Sequence, residues 1–462
     1  MASSRFTRVI DAVPEPILAL LTNCLGSYYR LIRHTGEMRR ILAEWQKLEH
    51  LHPTEYQAYQ LERLRHIAQV ANTTPYYKKV FRKVGFDPAN VRSLEDLKLL
   101  PFLTKDDLRK HGPEMIVPNS REPRLEKYSS GTTGQPVAFI QPRRMAFAQN
   151  FAILYQMYSW FGFSPLDRRA TMAGRYMGIK PQGIVVRNLF ENQLLLGVHA
   201  LSERSVARYV RALDEFAPAM LHAHPSGLLM LKQLAEVTGQ SAPKVSLISY
   251  TGENLSEEER SQLSEWLGGA IIFGTYGSGE MAIAAGECPE LDGYHIHPAT
   301  GICELEEVDG KKEVIGTSLL NDVMPLIRYR TGDLADRITF EKCLCGRHWP
   351  RLQGLQGRID DLLFSANGAP IAPVVIRTGI SSLGAITAPY SVIQHVTPAT
   401  YTLQIYEEPS EVSQASIDTV VTFLRTILGE QSDIGVKCVS KKELFTSRAK
   451  HRIVIREKAG KV

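Results

Sequence analysis

The chain is 462 residues long with a hydrophobic content of 44%, enough to bury more than one core and beyond the usual ceiling for a single domain. Its six cysteines, scattered from Cys24 to Cys438, are too few for a secreted disulfide scaffold and point to a reducing, cytoplasmic compartment. The net charge of +5 conceals a basic end: the last 26 residues hold nine Lys and Arg against Glu443 and Glu457, leaving −2 for the rest. No basic stripe with interleaved aromatics suggests nucleic acid, and no metal-hydrolase or Ser-His-Asp pattern stands out.

In chain order, the first apolar stretch is VPEPILALLTNCLGSYYRLI, broken by Pro14, Pro16, Asn23 and Gly26. It has neither the cleavage pattern of a signal peptide nor the length of a transmembrane segment. Leu18, Leu20, Leu21 and Leu25 ahead of Arg30 and Arg33 suit either a membrane or partner surface or, the expectation adopted here, packing on the parent domain. Thr54 with Gln57 reads as a capping box, followed by Leu61, Leu64, Ile67 and Val70 at helical spacing up to about Thr74, so residues 1–80 are expected to be mostly helical. Residues 99–125 read as a loop.

Beyond the Gly/Ser/Thr segment 129–134, helices and strands alternate. Val206, Tyr209, Val210 and Leu213 mark one helical face, and SLISY (246–250) and IIFGTY (271–276) read as buried strands. This predicts an α/β architecture. After Arg358 the pattern restarts: YTLQIY (401–406), a helical stripe from Ile417 to Leu428 closed by Gly429, and IGVKCV (434–439) form a β-α-β unit of small-domain size.

In YSSGTTGQPV (128–137), Gly131 and Gly134 permit close backbone approach, and Ser129, Ser130, Thr132 and Thr133 offer hydroxyls beside backbone N–H groups, a composition suited to phosphate oxygens. It is not a Walker A loop, since no Gly-Lys-Ser/Thr follows. By composition alone it is equally an ordinary turn. SSGTTGxP, however, closely resembles the signature loop of the acyl-adenylate-forming (AMP-binding) superfamily. Val137 stands where many members carry Lys; the phenylacetate-CoA ligase-like branch commonly lacks that lysine, so the resemblance points to the phenylacetate-CoA ligase-like or capsular-polysaccharide branch.

Other segments resemble the superfamily's remaining motifs in order. YTGENL (250–255) resembles the turn lining the adenine pocket, with Gly252 and Glu253. TYGSGE (275–280) resembles the Tyr-Gly-x-Thr/Ser-Glu motif, with Gly279 replacing the hydroxyl residue. The resemblance implies that Tyr276, Gly277 and Ser278 contact the nucleotide and that Glu280 holds magnesium, a hard cation suited to a carboxylate. In RYRTGD (328–333) it makes Asp333 the ribose ligand. In GRIDD (357–361) it gives Arg358 a ribose or phosphate contact and makes Asp360 the hinge. In SRAKHRIV (447–454) it makes Lys450 the catalytic lysine, with Ala449 in place of glycine.

The fold implied is a large multi-subdomain α/β domain over residues 1–358, binding ATP and the acid, and a small mobile α+β lid over 359–462. Adenylation brings a carboxylate anion to a phosphate anion, so a fixed ammonium such as Lys450 offsets the charge that develops. The implied activity uses ATP, magnesium and a carboxylic acid, with coenzyme A as acceptor. Transfer to an amine, hydroxyl or carrier protein, or nucleotide binding without chemistry, are the alternatives.

Cys288, His295, Cys343 and Cys345 offer four N/S ligands for structural zinc, with His297 or His348 as substitutes. Buried thiols without metal are the bland alternative. LHAHPSG (221–227) precedes the Gly-Glu turn, where relatives wall their acyl pocket. With Arg175, Tyr176 and Tyr250, its His222 and His224 suggest a pocket more polar than phenylacetate requires.

Overall fold

The computed structural model describes residues 13–128, 137–172, 177, 182–308, 311–358, 363–368, 370–371, 373–383, 385–386, 388–407, 412–440 and 453–457. The chain divides into two compact units, one built from Met1–Gly26, Arg168–Ile272 and Gly357–Val462, the other from Ser27–Asp167 and Phe273–Gln356.

In the first unit, strands Gln193–Leu196, Arg169–Met172, Met220–Ala223 and Leu247–Thr251 run parallel, and Val185–Asn188 pairs antiparallel with the first of them. Parallel strands need crossover connections, and helices Val206–Phe216 and Pro225–Val237 supply the material for them. Val206, Tyr209, Val210 and Leu213, the face expected from their spacing, are all buried. They join Ala170, Leu221, Ile248 and Tyr250 in one core.

The same unit contains a second layer. Strands Asp433–Cys438, Thr400–Ile405, Tyr390–Gln394 and Val454–Arg456 form a mixed four-stranded sheet. Helix Gln414–Leu428 covers it with Val420, Leu424 and Leu428, which share a core with Val392, Leu403 and Ile376. Gly429, at φ 113°, ends that helix where the sequence places its stop.

In the second unit, Ala284–Glu287 pairs antiparallel with Ile271–Gly277 and with Tyr294–Ile296, and the ladder continues through Arg351–Gln353 to Arg337–Thr339. A second sheet joins Gly301–Val308, Lys311–Ser318 and Tyr329–Leu334. Strands Arg124–Tyr128 and Ala138–Pro142 pair antiparallel, with Tyr128 facing Ala138.

Three expectations need correction. Helix Pro53–Ala71 is capped at His52, not Thr54: Pro53 supplies the helical φ at the first position, and the His52 N–H donates to Glu55 Oε2 at 2.8 Å. Thr74 begins the next helix, Pro75–Val84, by accepting from the Tyr77 N–H. Residues 99–125 contain helix Lys105–His111, opened by a reciprocal box in which the Thr104 N–H donates to Asp107 and the Asp107 N–H to Thr104 Oγ1.

The third concerns the N-terminal apolar segment. Helix Glu15–Arg33 buries Leu18, Thr22 and Gly26, while Leu20, Leu21 and Leu25 are exposed. Most of its leucines therefore do not pack on the parent unit. No described helix is long and apolar enough to cross a membrane.

Candidate active site

In the second unit, strand Ile271–Gly277 carries Tyr276 and strand Tyr329–Leu334 carries Asp333. Although 57 residues apart, they touch: the Tyr276 hydroxyl donates to Asp333 Oδ2 at 2.8 Å. Burial, with the Asp333 carboxylate beside it, pushes the Tyr276 phenol well above its ordinary range, so it remains a donor.

The turn before Asp333 is held from three sides. Gly332 adopts φ 79°, and its N–H donates to Glu313 Oε1 at 2.9 Å. Arg330 donates twice to Glu313 Oε2, at 2.9 and 2.7 Å. Thr331 Oγ1 donates to the Val314 carbonyl and accepts from the Asp333 N–H. A side chain at position 332 would have to adopt a left-handed conformation, which glycine takes without strain.

Glu280 is only 4% exposed, and Tyr329 donates to its Oε1 at 3.1 Å. Gln141 Nε2 donates to the Gly279 carbonyl at 2.7 Å, and Ser318 Oγ donates to that of Met281, whose φ is 51°. Hydrogen bonds on both sides thus fix the bend that presents Glu280. A Cβ at position 279 would meet Phe139 at 3.5 Å, an ordinary van der Waals contact. Gly277 and Ser278 follow Tyr276 into this bend.

In the first unit, the Glu253 carboxylate accepts from the Ser226 N–H at 2.8 Å and from Ser226 Oγ at 2.9 Å, and so caps the start of helix Pro225–Val237. Gly252 precedes it at φ 79°. His224 Nδ1 donates to the Thr251 carbonyl at 2.8 Å. His222 Nδ1 hydrogen-bonds Ser249 Oγ at 2.8 Å. Burial, aided by Arg169 and His224, drives its pKa down to about 3, so the ring is neutral.

Thr171, His222 and Ser249 are in register on three adjacent parallel strands, and Gln193 donates to Thr171 at 2.6 Å. The four therefore form a polar row on one sheet face. Ser249, Thr171 and Gln193 were absent from the sequence-based candidates because parallel register leaves no local signal. Tyr250 must be withdrawn from the candidate pocket. Strand alternation turns it to the other face, where it is 2% exposed among core residues and accepts from Arg260 at 3.0 Å.

The Cys/His group converges. The ligand atoms of Cys288, His295, Cys343 and Cys345 all lie within 4.8 Å of one another, an arrangement that could hold a metal ion. Cys288 Sγ is 3.8 Å from Cys343 Sγ, and Cys345 Sγ is 3.4 Å from His295 Nε2. Burial opposes ionisation of Cys345, but hydrogen bonds from His295 and Arg347 outweigh it and draw its pKa to about 5. Cys343 and Cys345 sit on a tight turn in which the Gly346 N–H donates to the Cys343 carbonyl and the Cys343 N–H to that of Arg347.

The two substitute ligands are occupied otherwise. His297 donates from Nε2 to Gln156 Oε1 at 2.9 Å and accepts the Ala299 N–H at Nδ1, while the His348 ring packs against that of His52, tilted by 36° with centroids 4.6 Å apart.

Behind the Cys/His turn lies a buried polar network. Glu49 Oε2 accepts from Arg347 Nη2 at 2.8 Å and Nε at 3.2 Å. Its Oε1 accepts from Gln156 at 2.8 Å and from the Trp160 indole at 3.0 Å. Arg347 also lies 4.2 Å over the Trp160 ring.

The candidates Ser129, Ser130, Gly131, Thr132, Thr133, Gly134, Arg175, Tyr176, Asp360 and Lys450 lie outside the described residues. Arg358 is described only by its backbone, in strand Gly357–Arg358.

Comparison with solved structures gives the class. The chain aligns with 2-hydroxyisobutyryl-CoA ligase in its postadenylation state at TM-scores of 0.66 with one bound acyl-AMP and 0.65 with another. Each alignment has 22% identity and covers 89% of this chain and 92% of that one. The fold is therefore that of an acyl-CoA ligase.

No family model matches, but individual relatives do. Phenylacetate-coenzyme A ligase of Thermus thermophilus is 31% identical over 376 residues, covering 75% of this chain and 80% of that protein. The Pseudomonas putida and Escherichia coli enzymes of the same name are 28% and 29% identical, covering 72% and 67% of this chain and 77% and 72% of their own lengths. The chain belongs to the phenylacetate-coenzyme A ligase family.

Proposed function

We propose that this protein activates a carboxylic acid with ATP, forming an acyl-adenylate and pyrophosphate, and then transfers the acyl group to the thiol of coenzyme A with release of AMP. The observation that carries the reading is the Tyr276–Asp333 contact. It joins the residues that the motifs assign to adenine and ribose in a chain whose relatives are acid–CoA ligases.

In this reading Tyr276 packs on adenine and orients Asp333 toward the ribose hydroxyls. Glu280 is the magnesium ligand: its carboxylate is a hard oxygen donor, fixed by Tyr329. The cation, when bound, neutralises phosphate charge. The hydroxyls and backbone of 129–134 cradle the phosphates, Lys450 stabilises the charge of the adenylation step, and Asp360 is the hinge about which 359–462 reorients for thioester formation. Gly252 and Glu253 keep the adenine-lining turn in place.

The acid is a polar one. Support comes from His222, a neutral ring on a row with Thr171, Ser249 and Gln193, and from His224, Arg175 and Tyr176 in neighbouring segments.

The Cys/His group is the candidate zinc site. With Zn–S bonds of about 2.3 Å and Zn–N of about 2.0–2.1 Å, a tetrahedron has S···S edges of about 3.8 Å and S···N edges of about 3.5 Å. Separations of 3.8 and 3.4 Å fit both. All four positions are filled by side chains, so its role is structural.

The test is ATP–pyrophosphate exchange across a panel of carboxylates, followed by single turnovers with and without coenzyme A. Exchange strongest with hydroxylated or otherwise polar acids, and AMP release that requires coenzyme A, are expected. Preference for plain aryl or fatty acids would sink the polar pocket, and AMP release indifferent to coenzyme A would point to another acceptor.

A further inference from the structure

RYRTGD (328–333) opens on Arg328, a residue that the proposed nucleotide contacts leave without a role. Its backbone is left-handed, with φ 51°, a conformation that is strained for an L-residue and free for glycine. What keeps an arginine there is its side chain.

That side chain is 7% exposed, and each of its nitrogens has a partner. Nε donates to Glu304 Oε2 at 3.1 Å, and Nη2 lies 2.9 Å from Glu304 Oε1 and 3.3 Å from Glu306 Oε1. Nη1 donates to the Leu100 carbonyl at 2.8 Å, and the guanidinium lies 4.5 Å over the Phe102 ring. Two carboxylates, a carbonyl and a ring face thus replace the water that a buried cation loses. The backbone is tied as well: the Arg328 N–H donates to Thr317 Oγ1, and its carbonyl accepts from the Leu103 N–H, both at 2.9 Å. Arg328 therefore joins segment 100–103 and strands Gly301–Val308 and Lys311–Ser318 where strand Tyr329–Leu334 begins.

The register of that beginning reaches two proposed ligands. Tyr329 stands opposite Gly316 and Arg330 opposite Ile315, after which the register shifts and the Gly332 turn presents Asp333. From this placement Tyr329 donates to Glu280, and Asp333 accepts from Tyr276. A slip of one residue would turn Tyr329 to the opposite face and carry the turn along with it.

We propose that Arg328 is the positioning residue of the nucleotide and magnesium site. It acts without contacting either ligand, by holding the start of the strand in the register that brings Tyr329 to Glu280 and Asp333 to Tyr276. The inference rests on the roles proposed for Glu280 and Asp333.

The experiment is calorimetric titration of the full chain with magnesium-ATP, which reports affinity and the number of competent sites separately. Arg328→Gly accepts the left-handed backbone but removes the clamp, and its dissociation constant is expected to rise about tenfold. Arg328→Lys keeps the charge without the fork and is expected to fall between that variant and wild type. A merely structural role predicts fewer competent sites and a lower melting temperature, with the affinity of the remaining sites unchanged; that outcome overturns the proposal, as does wild-type affinity in Arg328→Gly. Should that variant not fold, Glu304→Gln, nearly equal in shape, removes the charged partner of Nε and Nη2. Its affinity is expected to weaken several-fold, and unchanged affinity overturns the proposal equally. A wild type that binds magnesium-ATP but activates no acid would count against the proposed function alone and leave the affinity ratios to decide the role of Arg328.

Discussion

The buried Glu49–Arg347 pair permits a quantitative prediction. Glu49 and Arg347 side chains are 9% and 11% exposed, so each charge depends on its partner. Glu49→Leu strands the guanidinium, removes the acceptor of the Trp160 indole and of one Gln156 N–H, and is expected to cost about 3–5 kcal/mol. Arg347→Met leaves Glu49 with two donors, Gln156 and Trp160, so the smaller loss of about 2–3 kcal/mol follows. In the double variant neither charge is stranded. Its cost is expected to fall about 2 kcal/mol short of the sum of the singles.

Trp45, Trp160 and Trp349, three of the chain's four tryptophans, border this network: Gln156 donates to the Trp45 carbonyl, and the Trp349 indole to that of Leu48. Urea titration followed by tryptophan emission therefore reads the affected region directly. Additivity of the two single costs to within about 0.5 kcal/mol would refute the argument, because it would mean that the pair is not coupled in the folded chain.

Tyr276→Phe removes one hydrogen bond to a carboxylate, worth about 1.5 kcal/mol. The loss lowers the melting temperature by a few degrees at most and, with Asp333 no longer oriented, should raise the KM for ATP several-fold; an unaltered KM would detach Tyr276 from the nucleotide site. Zinc analysis of purified protein should find one ion per chain, lost in Cys288→Ser and Cys343→Ser and retained in Cys438→Ser. Retention in all three would refute the ligand set. Burial drives the fully enclosed His297 from 6.5 down to about 3. Between those values the unfolded chain binds a proton that the folded chain refuses, so stability is complete above about pH 6.5 and declines as pH falls toward 3. The slope from this residue approaches about 1.4 kcal/mol per pH unit. His222 contributes with the same sign. Denaturation curves at pH 5 and 7 check it: His297→Gln should flatten the slope, and an unchanged slope would contradict the assignment.

Much of this protein was legible in order along the chain. The Tyr-Gly turn before Glu280 and the Thr-Gly-Asp turn before Asp333 are short-range patterns, since backbone turns restrict residue types over a few positions. The helical stripe ending at Gly429 and the strands on either side of it are local for the same reason. Four Cys/His residues could be nominated from chemistry alone, but their convergence to within 4.8 Å depends on antiparallel pairing of His295 with Arg351 and Gly286, and pairing between distant segments has no local signature.

What only the tertiary structure decided was which face each residue presents. His222 and Ser249 share a row because their strands are parallel and in register, whereas Tyr250, one position along, falls into the helix-side core. Glu49 and Arg347 are 298 residues apart and carry no sequence mark of their pairing. The N-terminal leucines are the sharpest case. Their spacing determined an amphipathic helix, but Asn23, Gly26 and Glu15 determined that its apolar side turns outward. Periodicity defines the existence of a face, and its direction follows from the specific contacts that hold the opposite side.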